Sequence, residues 1–289
     1  MRTRDVLLAA ATSVLWGLGF AAGKLGLESF SPAQLTAVRF LVACLPVLVV
    51  PRPAISWTSI VLIGATLFTG QFLLMFFAFD RGLPPGVASV SQQMQAFFTV
   101  VLGAAFLRDV PTRRQGIGMA LAFVGLVLIG STAGSDLKLL GLGLGLAAAF
   151  SWAVGNVLVK RAAHVPVFPL VVWCSLVPPV PALLVSRVAD GHVDLAGACL
   201  RASWTSLAAA VYLGAFATVI AYAAWGFLLQ RHSAAAVAPF ALLAPCVGVL
   251  SAALLFGEIP GPIRYAGMAL ILAGLVVAVI PAGRLRPRG

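Results

Sequence analysis

The chain has 289 residues, of which 61% are hydrophobic and only 9% charged, against about 25% charged in ordinary soluble domains. Mean hydropathy is +1.06 and apolar runs of about 18 residues or more recur from end to end, which excludes a soluble globular fold and predicts a polytopic membrane protein. The net charge of +11 and pI of about 10.8 would point to nucleic acid in a soluble chain, but the basic residues stand singly at the ends of apolar segments, so membrane orientation explains them and no nucleic-acid partner is expected.

Taken in order, ten membrane-spanning helices are predicted, over residues 6–26, 33–50, 59–79, 86–107, 115–129, 139–159, 167–185, 206–230, 234–256 and 263–280. The first follows Met1-Arg2-Thr3-Arg4-Asp5 and is long enough to span, so it reads as an uncleaved helix and not as a signal peptide. The connections are short and rich in Pro, Gly and charge, as at Ser31-Pro32, Pro51-Arg52-Pro53 and Pro84-Pro85. The longest exposed piece, 186–205, is expected to be a solvated loop. Cys44, Cys174, Cys199 and Cys246 are far apart with no CxxC, so they read as small apolar side chains and neither a disulfide frame nor a metal site is expected. With the N-terminus inside, 12 of the 19 Lys and Arg residues fall on that side and 7 on the other, which predicts both termini in the cytoplasm.

The sequence repeats itself. Gly118-Met119-Ala120-Leu121 followed by Gly125-Leu126-Val127 recurs as Gly267-Met268-Ala269-Leu270 followed by Gly274-Leu275-Val276. Trp16, Gly19 and Lys24 recur at a constant offset as Trp152, Gly155 and Lys160, Pro46 matches Pro181, and Ala88 and Phe106 match Ala238 and Phe256. Chance similarity between Leu/Ala/Gly-rich helices explains any one match, but not several in the same order. The predicted architecture is therefore two related units of five helices, 5–130 and 139–282. Five is odd, so the second unit enters the membrane from the opposite side. Such inverted repeats are common in secondary transporters, with the substrate held near the midplane between the halves.

These residues resemble the EamA family of the drug/metabolite transporter superfamily, over about residues 5–282. The resemblance is carried by Trp16-Gly17-Leu18, Gly70-Gln71-Phe72, Gln95-Ala96-Phe97-Phe98-Thr99, the stretch 147–153, Gly155-Asn156, Ala238-Pro239 and the stretch 251–255. Within the family the likeness is greatest to bacterial exporters of O-acetylserine and cysteine. It implies an inner-membrane, multi-pass exporter of small amino-acid-like metabolites working by alternating access, with drug, nucleoside and other metabolite exporters sharing the frame. This chain departs from that pattern at Gly19, where the exporter has an asparagine. It departs again at Arg108 and Asp109, where the first repeat would close on an acid of the kind kept as Glu258.

Polar residues inside apolar spans narrow the candidate site. On a continuous helix Gln92 and Gln95 share a face and Gln93 points elsewhere. Their amides serve either as interhelical hydrogen bonds, worth about 0.6 kcal/mol on average, or as the wall of a polar chamber. Gln71, mid-span beside Phe72, has the same two readings, as has Asn156, which shares a face with Trp152. Trp16 and Trp152 lie too deep for an interfacial belt, and Tyr222 and Trp225 are similar aromatic candidates. The predicted substrate-binding set is thus Trp16, Gln71, Gln92, Gln95, Trp152, Asn156 and Tyr222.

Arg39 and Glu258 are the candidates for gating or coupling. Arg39 stands about six residues, or roughly 9 Å, into its span, where an arginine costs at least about 2.5–3.5 kcal/mol. Its side chain is expected to snorkel outward, the alternative being a hold on a substrate carboxylate. No HExxH, no paired intramembrane aspartates and no GxxxxGK[ST] loop are present, so neither an enzyme nor an ATP-driven pump is expected, and no cofactor. The expected partners are a small-molecule substrate and the lipid bilayer, in a monomer or homodimer.

Overall fold

The computed structural model describes residues 2–107, 112–134, 136–162, 165–191, 194–232, 237, 240–241 and 243–279. Arg108, Asp109, Ala238 and Pro239, named above, lie outside them. Every regular element among the described residues is helical. In chain order these are α1 (Thr3–Gly26), α2 (Pro32–Leu48), α3 (Trp57–Asp80), α4 (Pro85–Ser91), α5 (Met94–Leu107), α6 (Arg113–Ser131), α7 (Leu139–Arg161), α8 (Val167–Ala189), α9 (Leu195–Arg201), α10 (Trp204–Leu228), α11 (Leu243–Phe256) and α12 (Pro262–Val279). Of these, α1, α3, α6, α7, α8 and α10 are long and apolar enough to cross a membrane, and α2, α11 and α12 are shorter apolar helices.

The starts of two helices are written in the sequence as capping boxes. The Ser31 hydroxyl accepts from the Gln34 amide while the Gln34 side chain accepts from the Ser31 N–H, and Thr112 and Gln115 do the same at α6. Two features differ from the sequence expectation. The loop at 186–205 contains α9, whose first turn is capped by Asp194 accepting from Gly197 N. The predicted span 86–107 is not one helix: α4 ends at Ser91 and α5 begins at Met94, with a tight turn at Gln92–Gln93. There the amides of Gln93, Gln95 and Ala96 each bond three residues back, to Val90, Gln92 and Gln93. Ser89 O thereby loses the N–H of Gln93 and receives the Gln93 side-chain amide instead, at 3.3 Å.

A second irregularity occurs in α3 and again in α10, where 64–70 and 212–220 are wound as π-helix. A π segment takes carbonyls out of the ordinary ladder, and in an apolar surround each needs another donor. Thr69 donates to Gly64 O at 3.2 Å and Thr218 to Leu213 O at 2.8 Å, both five residues back. Ser151 of α7 donates to Thr66 O at 2.7 Å, and Trp16 of α1 donates to Ala217 O at 3.1 Å. Side chains from helices at the middle of the molecule thus complete the backbone of α3 and α10.

The repeated glycine motifs lie face to face. A Cβ at Gly118 would stand 2.4 Å from Gly274 O, and one at Gly274 would stand 2.4 Å from Gly118 O. Gly125 and Gly267 are related in the same reciprocal way, at 2.4 and 2.6 Å. Only glycine lets α6 and α12 approach backbone to backbone there.

Ties between helix ends and the loops beside them define two ends of the bundle. At the first end, Asp5 meets His232 at 2.9 Å and Trp173 Nε1 donates to Val50 O at 3.0 Å. At the second, Ser31 donates to Asp190 at 2.6 Å and Gly86 N donates to Glu258 at 3.0 Å. Arg264, also at the second end, donates to Thr132 and forms a bidentate pair with Asp136.

Candidate functional site

Close helix crossings set the walls of a central cavity. Gly17 lets α11 come against α1, where a Cβ would meet Ala244 O at 2.6 Å. Gly155 lets α3 come against α7, where a Cβ would stand 2.9 Å from Leu67 Cα. Between these crossings lies a cavity of about 370 Å³ that runs from Trp16, Trp152 and the glutamine turn toward Val159 and Val167 near the first end. Trp16 anchors one wall, with its ring edge-on to Tyr222 at 5.4 Å and tilted against Trp225 at 5.1 Å. Its hydrogen bond to Ala217 in the π segment fixes the indole. Ile63, Leu67, Phe68 and Val171 make the apolar wall.

The polar wall is made of amides. Asn156 Nδ2 donates to Gln95 Oε1 at 3.0 Å and to Thr99 Oγ1 at 3.2 Å, and Thr99 in turn donates to Gln95 O at 2.7 Å. Gln93 lines the cavity too, contrary to the continuous-helix expectation, because the turn rotates it inward. Gln92 also reaches the wall but is only 1% exposed, and neither of its amide atoms has a partner among the described residues.

A smaller cavity of about 70 Å³ continues beyond Trp16, Phe20, Trp152 and Tyr222, which line both spaces. Arg39 and Gln71 line it. Arg39 does not snorkel. It is only 4% exposed, donates through Nε and Nη2 to Thr218 Oγ1 at 3.2 and 3.0 Å, and lies with Cζ 3.5 Å from the Phe72 ring centroid. The π segment turns the Thr218 hydroxyl toward it, and the aromatic face supports the charge. Past this space Phe76 and Phe79 press on Gly23, where a Cβ would lie within 3.0 Å of both rings, and Phe79 stands between this space and a pocket at the second end that Lys24 and Glu258 also line.

The residues predicted from sequence therefore fall in three places. Trp16, Gln92, Gln95, Trp152, Asn156 and Tyr222 line the larger cavity, Gln71 and Arg39 line the smaller one, and Glu258 stands apart at the second end. Sequence reasoning missed Thr218 and Phe20. A threonine or phenylalanine in an apolar run carries no signal until the π turn and the helix crossing give it a direction.

At the second end, burial raises the Glu258 carboxyl above its ordinary value, opposed by the Gly86 N–H and by Lys24 and Arg264. The hydrogen bond from Arg264 holds Asp136 down at about 2. A carboxyl raised by closure favours the closed end most fully below its ordinary value, about 4.3 for glutamate. That contribution is lost as pH rises through the raised value. Asp136 has the opposite sign and contributes above its ordinary value, failing only as pH falls through about 2. Closure at this end should therefore tighten as pH falls toward the ordinary carboxyl range, through Glu258. Amide hydrogen exchange over 82–88, corrected for intrinsic rates, is expected to be slower at pH 4 than at pH 8 in the wild type and insensitive in Glu258→Gln. Equal corrected rates in the wild type would remove Glu258 as a gate.

Comparison with known proteins places this geometry. The pattern described as the EamA-like transporter family matches the chain twice, at residues 3–131 and 139–280. A probable amino-acid metabolite efflux pump of Salmonella typhimurium is 41% identical over 286 residues, covering 96% of each chain. One of the same description from Escherichia coli K12 is 37% identical over 286 residues, again with 96% of each chain covered. A crystal structure at 20% sequence identity shares the fold with a TM-score of 0.67, over 99% of this chain and 100% of the other.

Proposed function

The chain belongs to the EamA-like transporter family, and we propose that it exports small amino-acid-like metabolites of the O-acetylserine and cysteine type across the bacterial inner membrane by alternating access. The transport class rests on the family and on relatives described as amino-acid metabolite efflux pumps. The observation that carries the substrate class is the cavity itself, with amides from Gln95 and Asn156 on one side and Trp16, Tyr222 and Trp225 on the other. Amides bind the polar groups of a solute, and the rings cover its aliphatic body.

In this reading the chain makes ten crossings as two inverted units, 5–130 and 139–282, with both termini cytoplasmic. The paired glycine motifs of α6 and α12 and the paired π segments of α3 and α10 support it, since each feature occurs in both units. The first end is then cytoplasmic, and the cavity reaching Val159 and Val167 is the inward-facing state. Exchange of the two units' shapes shuts the first end and parts the ties of Glu258 and Arg264 at the second.

Full-length protein reconstituted in proteoliposomes loaded with labelled cysteine or O-acetylserine is expected to release them faster than empty-vector vesicles, with nucleosides and cationic drugs as the comparison set. Release of nucleosides or drugs but of no amino acid would overturn the substrate assignment.

A further inference from the structure

Arg39 is a charged group that the frame alone does not explain. Its partners are one hydroxyl and two ring faces, Phe72 at 3.5 Å and Phe40 at 5.5 Å. No carboxylate pairs with it among the described residues, and its Nη1 makes no hydrogen bond there. Phe72 covers the face of the guanidinium and Thr218 takes one edge, leaving the edge that carries Nη1.

The repeat shows that an arginine is not needed to hold this position. Pro46 and Pro181 correspond at an offset of 135 residues, and the same offset pairs Arg39 with Cys174. The two sites pack alike. A Cβ on Gly214 of one π segment would stand 2.5 Å from Arg39 O, and one on Gly64 of the other would stand 2.7 Å from Cys174 O. A small apolar thiol, 0% exposed, serves in one unit where a guanidinium stands in the other. A role confined to the frame would not require the charge.

A second group shares the space. Gln71 is 3% exposed and its Oε1 has no hydrogen-bond partner among the described residues. The small cavity that both line has about 70 Å³, the room of several water molecules where about 10–15 Å³ holds one. That admits the head of an amino acid but not its side chain. Guanidinium is a donor to carboxylate, and an amide oxygen is an acceptor for ammonium. The pair has the complementary polarity of an α-amino-acid zwitterion, and the larger cavity begins where the side chain would leave.

We propose that Arg39 and Gln71 form the head-group subsite, Arg39 binding the α-carboxylate and Gln71 the α-ammonium, with the solute's side chain directed at the Gln95–Asn156 amides. This deepens the export assignment above and rests on it. Arg39 is then a specificity-determining residue: solutes lacking a free carboxylate lose their strongest contact.

The test is calorimetric titration of the purified full chain with cysteine, cysteinamide and cysteamine, which differ only at the carboxylate. The wild type is expected to bind cysteine at least about 10-fold more tightly than the other two, the weight of a charge-assisted pair. In Arg39→Gln, cysteine binding should fall about 10- to 100-fold with cysteamine nearly unchanged, so that the preference collapses. Arg39→Lys should restore part of it, as a point charge without the bidentate fork. Gln71→Leu should weaken cysteine and cysteamine together and keep their ratio.

Equal binding of cysteine and cysteinamide by the wild type overturns the subsite whatever the variants do. So does an Arg39→Gln protein that keeps the wild-type ratio, or one that loses all three ligands together with its thermal transition. Cysteine efflux without carboxylate preference leaves the export assignment standing and sinks only this inference. No binding and no efflux of any amino acid sinks both.

Discussion

Gln92→Met is expected to make the protein more stable and the transporter slower. Gln92 is 1% exposed and both its amide atoms lack a partner among the described residues. A buried polar group in that condition costs about 1–3 kcal/mol. Methionine has a similar volume and flexibility and brings no polar atom, so the substitution removes the penalty without opening a void. The penalty belongs to this conformation, with the cavity reaching the first end. If closure of that end gives the amide a partner, Gln92 pushes the molecule out of the state seen here, and methionine leaves it there. A shift of about 1–3 kcal/mol between two states is a factor of about 5–150 in their ratio. Thermal unfolding in detergent should therefore move up, and the rate of amino-acid counterflow should fall about 5- to 150-fold, with little change in affinity for the solute. A Gln92→Met protein that is less stable than wild type, or as fast, would mean that the amide is satisfied in this state or idle in the cycle.

The contrast among the neighbouring glutamines marks the limit of what the sequence carried. Three amides in an apolar run were legible as anomalies, and so was Asn156 opposite them, because polarity at membrane depth always needs a partner. Which of them faced the cavity was not legible. Helical periodicity assigns Gln93 to another face, and that holds only while the helix continues. No proline or glycine stands at the turn to announce it. It is recognisable only once Ser89 O is seen to take its hydrogen bond from the Gln93 side chain.

Arg39 failed in the same manner. Depth and residue type predict snorkelling, but its direction depends on Thr218, and the direction of Thr218 depends on a π turn that sequence does not encode locally. The repeat, by contrast, was legible, because the glycines that let two backbones touch tolerate nothing else.

Those glycines give the other large expected effect. Gly125→Ala adds one carbon, placed 2.4 Å from Gly267 O and 3.0 Å from Ile271. The carbonyl belongs to helix backbone and cannot swing aside, so α6 and α12 must separate. Overpacking of this kind costs about 1–3 kcal/mol. It is offset in part by the better helix propensity of alanine, about 1 kcal/mol over glycine in water. Gly116 lies on the same helix with nothing among the described residues within 4 Å of its Cβ position, so Gly116→Ala keeps the propensity gain and meets no clash with them. The two substitutions are chemically identical and should differ in sign: Gly116→Ala neutral or slightly stabilising, Gly125→Ala destabilising, as read by thermal unfolding of the purified proteins. The reciprocal geometry adds a sharper demand. Gly267→Ala should cost as much as Gly125→Ala, since each Cβ meets the other's carbonyl, and the double variant should cost well under their sum, because helices already parted by one methyl accommodate the second. Fully additive losses would show that the two glycines act on separate surfaces, and the self-complementary seam between the repeated motifs would then not be what joins α6 to α12.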